Sequence, residues 1–288
     1  MTPAKPTQLE PAARWRKTGR LHVDGAQIHY EVCGHGLALV FAHGLGGNHM
    51  SWWQQVGYFH DAYTCITFSH RGFAPSSVEA AQPDPRHYAD DLAALIDHLN
   101  LNQVCLVGQS MGGWSVLEYC LRHPGRVRGL VLSATVGSID LDRIAGLQPN
   151  EFKAWLQESE KLMAQCRAHR VHPVAGLRMA REQPAMHLLY QQIDEQAREL
   201  DKEVLRDRLR KMRVRAPADI AATGVPLLLI SQQEDIVIPP AALRALAIEV
   251  PGAQFIELAQ VGHSPYFENA QVFNRHLGEF LLQVGHTA

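Results

Sequence analysis

The sequence has no long hydrophobic run. Its apolar stretches, such as LALVFA at 37–42 and LVLSA at 130–134, fall far short of the ~20 residues a helix needs to cross a bilayer. A helical membrane span is therefore excluded. Cysteine is scarce: Cys33, Cys65, Cys105, Cys120 and Cys166 are scattered and odd in number, with no CxxC or Cys/His zinc spacing. Free thiols buried in apolar patterns are the expected state. Residues 1–20 contain no apolar core of signal-peptide length, so a reduced, cytoplasmic setting is expected. Charge of one sign is also lacking. A formal net charge of −2 is too near zero to draw nucleic acid or an anionic membrane as partner. The remaining partner is a small-molecule substrate, with monomer and homodimer both left open.

What is present is 288 residues at 46% hydrophobic and 19% charged, the profile of one large globular domain with an inserted subdomain. Residues 1–18 are rich in Pro, Ala and charge and read as a loose leader. RLHVDGAQIHYEVCG at 20–34 alternates around Asp24-Gly25, the dipeptide of a tight hairpin. Short apolar runs then recur at 37–43, 63–69, 103–109, 127–134, 225–231 and 253–259. Strands apolar on both faces belong in a parallel sheet covered by helices. Helical patterns at 86–100, 111–123, 240–250 and 267–284 complete an α/β alternation.

From 137 to 215 this rhythm stops. No buried strand occurs there and charges of both signs are dense. Ala197, Leu200, Val204, Leu205, Leu209 and Met212 share one helical face, so a helical insertion is expected, closed by Pro217 and Pro226. Its basic run RDRLRKMRVR at 206–215 is interleaved with acids and reads as a solvated face rather than a phosphate site.

LVGQSMGGW at 106–114 sets Ser110 at a strand-to-helix turn. A turn that sharp brings the residues two before and two after the serine against neighbouring backbone, so Gly108 and Gly112 are its steric condition. A serine hydroxyl needs a base, and the base needs an acid to fix its tautomer. In an open α/β sheet both belong beyond the carboxyl ends of later strands. LLLISQQEDIVIPP at 227–240 delivers Glu234 and Asp235, and FIELAQVGHSPYFEN at 255–269 delivers His263. The order serine, acid, histidine is that of one known architecture.

On these motifs the chain resembles the α/β-hydrolase family from about residue 20 onward. The resemblance implies a mostly parallel eight-stranded sheet flanked by helices, with core segments 19–136 and 216–288 and a helical cap at 137–215. It further implies Ser110 as nucleophile, Asp235 as acid in EDIVIP and His263 as base, with Glu234 the rival acid. AHGLGG at 42–47 matches the loop after the third strand. Leu45 and Met111 then supply the oxyanion N–H groups, with Gly44, Trp52 and Trp114 as candidate substrate contacts. The family loop Asp-x-Arg-Gly-x-Gly-x-Ser departs here, as SHRGFAPS carries Ser69 for Asp and Ala74 for the second Gly.

His43, His49 and His70 sit near the mouth of the expected sheet without metal-ligand spacing. No metal and no cofactor is implied. The expected function is a serine hydrolase acting on a small, mostly apolar carboxylic ester or lactone through an acyl-enzyme. Alternatives are carbon–carbon bond hydrolysis of a ring-cleavage product (vinylogous diketone), weakened by Ser264 where such relatives often carry Trp, and a slow-turnover receptor of the same fold.

Overall fold

The computed structural model describes residues 16–286. The chain opens with a hairpin, β1 (Arg16–Val23) and β2 (Ala26–Cys33), turning at Asp24-Gly25 with Gly25 at φ 61°. There follow β3 (Leu37–Ala42), α1 (Trp53–Phe59), β4 (Tyr63–Phe68), a two-residue β5 (Ser77–Val78) and α2 (Tyr88–His98). β6 (Val104–Gln109), α3 (Gly112–Arg122) and β7 (Val127–Ser133) come next. Five helices then precede the next strand: α4 (Pro149–Ala168), α5 (Gly176–Glu182), α6 (Pro184–Glu195), α7 (Lys202–Lys211) and α8 (Pro217–Ala221). β8 (Leu227–Gln232), α9 (Pro240–Glu249), β9 (Gln254–Leu258), α10 (Pro265–Glu268) and α11 (Ala270–His286) complete the chain.

The sheet runs β1-β2-β4-β3-β6-β7-β8-β9. The six strands from β4 to β9 along this path are parallel, and β1 and β2 are antiparallel. The eight strands expected are this path; a ninth, β5, is added where Ser77 and Val78 pair with Gln27 and Ala26. Arg16, Lys17 and Thr18 pair with Cys33, Val32 and Glu31, so the strand begins inside the expected leader. An exposed edge strand buries too little to look different from a linker. The rest of the leader lies outside the described residues.

Period-two alternation explains the double burial. Along β3, Ala38, Val40 and Ala42 enter one core while Leu39 and Phe41 enter the other. The same split separates Leu106 from Val107 in β6 and Leu229 from Ile230 in β8. Helices α2, α3 and α9 cover the first face, and α1 with α11 cover the second. All five cysteines are buried and unpaired. No helix among the described residues is long and apolar enough to cross a membrane.

Strand order reverses around β3 and β6. The chain leaves β3 toward β4 on one side and leaves β6 toward β7 on the other. The loops at their carboxyl ends therefore part, opening a crevice where ligands bind in such sheets.

The helices between β7 and β8 close over this crevice through a small apolar cluster. In it Leu205, Leu209 and Ala197 meet Met111, Trp114 and Phe73. The apolar face expected across 197–212 is not one helix. Residues 196–200 form turns, and α7 starts afresh at an Asp201 N-cap whose carboxylate accepts the N–H of Glu203 and Val204. That restart leaves Val204 exposed while Leu205 is fully buried.

Candidate active site

Ser110 holds a left-handed backbone, φ 49°, which an L-residue adopts only when its surroundings impose it. The surroundings are unusually close. A Cβ on Gly112 would lie 2.1 Å from the Ala42 carbonyl oxygen, and one on Gly108 would lie 2.8 Å from that of Gly112. The turn is tied by Ser110 N–H to Ser133 O (3.1 Å) and Gly113 N–H to Ser110 O (2.9 Å).

His263 is buried, and its Nδ1 lies 2.8 Å from Asp235 Oδ2. The other carboxylate oxygen, Oδ1, accepts the N–H of Val237 (2.7 Å) and Ile238 (2.9 Å). The carboxylate is thereby fixed, and with Nδ1 protonated toward it, His263 Nε2 is left as an acceptor. Glu234, the rival acid, faces away and binds Arg178, with Nε–Oε2 at 2.8 Å. Ser110 and His263 line one cavity of about 510 Å³. Among the described residues no hydrogen bond joins the Ser110 hydroxyl to the His263 ring; bonds of this kind often tighten only when substrate binds.

Leu45 and Met111 line the same cavity. No acceptor among the described residues meets the backbone N–H of either. The loop carrying Leu45 is anchored through His43, whose Nε2 accepts the His70 backbone N–H at 3.0 Å. Its Nδ1 is therefore the protonated nitrogen and donates to Gly44 O at 2.8 Å. His70 continues the chain to Ser115 Oγ at 2.7 Å. Burial pushes the pKa of His43 down to about 3 and that of His70 well below its ordinary value, so both are neutral braces. His49 lies elsewhere, where its ring, the His29 ring and the Glu31 carboxylate offer ligand atoms within 4.8 Å of one another. Arg16 already grips the Glu31 carboxylate.

The three candidate substrate contacts divide. Trp114 lines the cavity. Trp52 does not: it is fully buried and stacks on Tyr266 at 4.3 Å between ring centroids. The short helix His49–Trp52 turns it into the core, away from the loop it follows. Gly44 serves a close approach instead, since a Cβ there would sit 2.2 Å from Gln109 Oε1.

Several residues escaped the sequence reading. Gln109 donates to His263 O at 2.9 Å, joining the Ser110 turn to the histidine loop; its place beside the serine was a usable signal. Trp155 Nε1 and Ser159 Oγ, both on α4, donate to Asp235 O (2.8 Å) and Ile236 O (2.5 Å). Glu268 accepts the N–H groups of Gly262 (2.8 Å) and Ser264 (3.1 Å). The basic run is only partly solvated, as Arg213 turns inward over Trp114, 5.3 Å from the ring centroid.

Comparison with known proteins gives a consistent picture. A family described as "alpha/beta hydrolase fold" matches residues 38–270. A 3-oxoadipate enol-lactonase of Acinetobacter baylyi is 33% identical over 35% of this chain, a stretch that spans only 38% of that protein. A putative carbamate hydrolase, RutD, of Agrobacterium fabrum is 24% identical over 90% of this chain and all of its own length. A solved structure described as an N-acyl homoserine lactone degrading enzyme is 25% identical, with TM-score 0.72, covering 91% of this chain and 100% of that one. A thermophilic esterase from Thermogutta terrifontis shares the fold at TM-score 0.72 and 23% identity, covering 93% and 99% of the two chains.

Proposed function

The chain belongs to the alpha/beta hydrolase fold family, and within it we propose a serine hydrolase that cleaves a carboxylic ester or lactone through an acyl-enzyme on Ser110. The observation carrying this reading is the His263–Asp235 contact of 2.8 Å, with the histidine lining the cavity that also receives Ser110. The enol-lactonase, the lactone-degrading enzyme and the carbamate hydrolase are named for substrates sharing an acyl carbonyl, which supports acyl transfer as the common step.

In the proposed reaction His263 Nε2 takes the proton of Ser110 as Oγ bonds to the carbonyl carbon. The electron pair moves onto the carbonyl oxygen, which the N–H groups of Leu45 and Met111 receive. Asp235 stabilises the imidazolium. The tetrahedral species collapses, the carbon–oxygen bond to the leaving alcohol breaks, and His263 returns the proton to that oxygen. Water repeats the sequence on the acyl-enzyme and releases acid and free serine. Segment 137–215 acts as the cap, closing the pocket and limiting substrate size. The five unpaired thiols support a reducing, cytoplasmic setting.

Labelling with a fluorophosphonate probe tests the assignment. Wild type is expected to label and Ser110→Ala to stay unlabelled. A folded wild type that does not react overturns it.

A further inference from the structure

The cap side of the cavity is strongly cationic. Arg167, Lys202, Arg206, Arg210 and Arg213 all reach its wall, against the two carboxylates of Asp194 and Glu203. Those carboxylates are already engaged. Lys202 Nζ lies 2.5 Å from Asp194 Oδ1, and Arg206 binds Glu203. Arg210 reaches outward to Asp207 at 3.0 Å. Arg167 and Arg213 are left without a carboxylate partner among the described residues.

Arg213 is the more telling of the two. Its backbone is pinned: its N–H donates to Arg210 O (3.1 Å), while the N–H groups of Val214 and Arg215 meet Ser138 O (3.0 Å each). Its guanidinium lies over the Trp114 ring, which attracts a cation but supplies no lone pair. Among the described residues neither the buried Arg213 Nε nor the buried Trp114 Nε1 has an acceptor. Burial lowers the pKa of this arginine from its ordinary value, the mark of a charge poorly compensated within the protein. Both residues, Arg213 and Trp114, line the cavity that holds Ser110. An apolar ester offers this guanidinium no acceptor, whereas a planar carboxylate matches its fork with two charge-assisted bonds.

We propose that the substrate is an ester or lactone bearing a carboxylate away from the scissile carbonyl, and that Arg213 binds that carboxylate. The proposal rests on the serine-hydrolase reading and narrows it, replacing the mostly apolar substrate that the sequence suggests.

The test is a matched pair of aryl esters at pH 7.5: the 4-nitrophenyl monoester of glutaric acid and its neutral counterpart, 4-nitrophenyl valerate. For wild type, kcat/KM is expected to favour the charged ester by about 10- to 100-fold, the range of one charge-assisted contact. Arg213→Gln lowers that charged-to-neutral ratio at least tenfold, mainly through KM. Arg213→Lys keeps part of it, and Arg181→Gln, an exposed arginine on α5, leaves it at the wild-type value. A wild-type ratio of one or less, with Ser110 labelled by fluorophosphonate, overturns the anion inference and leaves the hydrolase standing. Absence of labelling and of turnover on both esters removes the hydrolase reading and the inference with it. A preference that survives Arg213→Gln overturns the assignment to Arg213. The wild-type ratio needs no variant, so misfolding of one mutant leaves the test intact.

Discussion

Glu268 holds His263 from both sides. Its carboxylate accepts the N–H of Gly262 at 2.8 Å and of Ser264 at 3.1 Å, the two residues flanking the histidine. Those bonds favour the ionised form, but burial outweighs them and raises the pKa from 4.5 to about 7. Between these values the native state binds more protons at this site than the unfolded chain does. The stabilisation is thus fully present below pH 4.5 and lost as pH rises through about 7.

Glu268→Gln removes this titration. The stability difference between the variant and wild type should therefore shift in the variant's favour by on the order of 3 kcal/mol from pH 4.5 to 8. Urea unfolding at half-unit pH intervals reads it. Two parallel profiles show that the carboxylate ionises normally.

Gly112→Ala separates steric demand from helix propensity. Alanine in the first turn of α3 normally gains about 0.5–1 kcal/mol over glycine. Here the added carbon meets the Ala42 carbonyl oxygen at 2.1 Å, and backbone cannot step aside. The expected result is destabilisation by about 2 kcal/mol or more together with loss of turnover of an aryl ester. Gly125→Ala, where nothing lies within 4 Å, should be near neutral. A stable, active Gly112→Ala contradicts the close turn geometry at Ser110.

Much of this was legible because short-range rules governed it. Apolar runs without alternation marked the strands of a two-faced sheet, and small residues around Ser110 marked its turn. What was not legible depended on where a helix stops. The face drawn through Ala197, Leu200 and Val204 assumed continuous winding. The break before Asp201 resets the phase, exposing Val204 and carrying Arg213 beyond the end of α7 toward Trp114. Trp52 failed similarly: a short helical turn decides whether an indole after the Gly-rich loop faces substrate or core. Glu268 could not be read because its role is a pair of backbone bonds made after the chain turns at α10.

Asp235→Asn and Glu234→Gln test which acid serves the histidine. Asn at 235 cannot stabilise an imidazolium, so kcat on an aryl ester should fall by about three to four orders of magnitude. Gln at 234 loses only its partly exposed pair with Arg178, and such pairs contribute little; kcat should stay within about threefold. Equal losses in the two variants reverse the assignment.

Trp155 ties α4 to that acid. Its indole N–H donates to Asp235 O at 2.8 Å while its ring stacks on Phe152, 5.9 Å between centroids. Phenylalanine at 155 keeps an aromatic ring and deletes the donor. About 1 kcal/mol of stability should be lost with the bond. Since the backbone of the acid loop is then free to shift relative to His263, kcat should fall by about 3- to 10-fold, with KM changing less. A structural role confined to α4 lowers stability alone and leaves kcat on the aryl ester unmoved, so thermal unfolding and steady-state kinetics on the same preparation decide between the two.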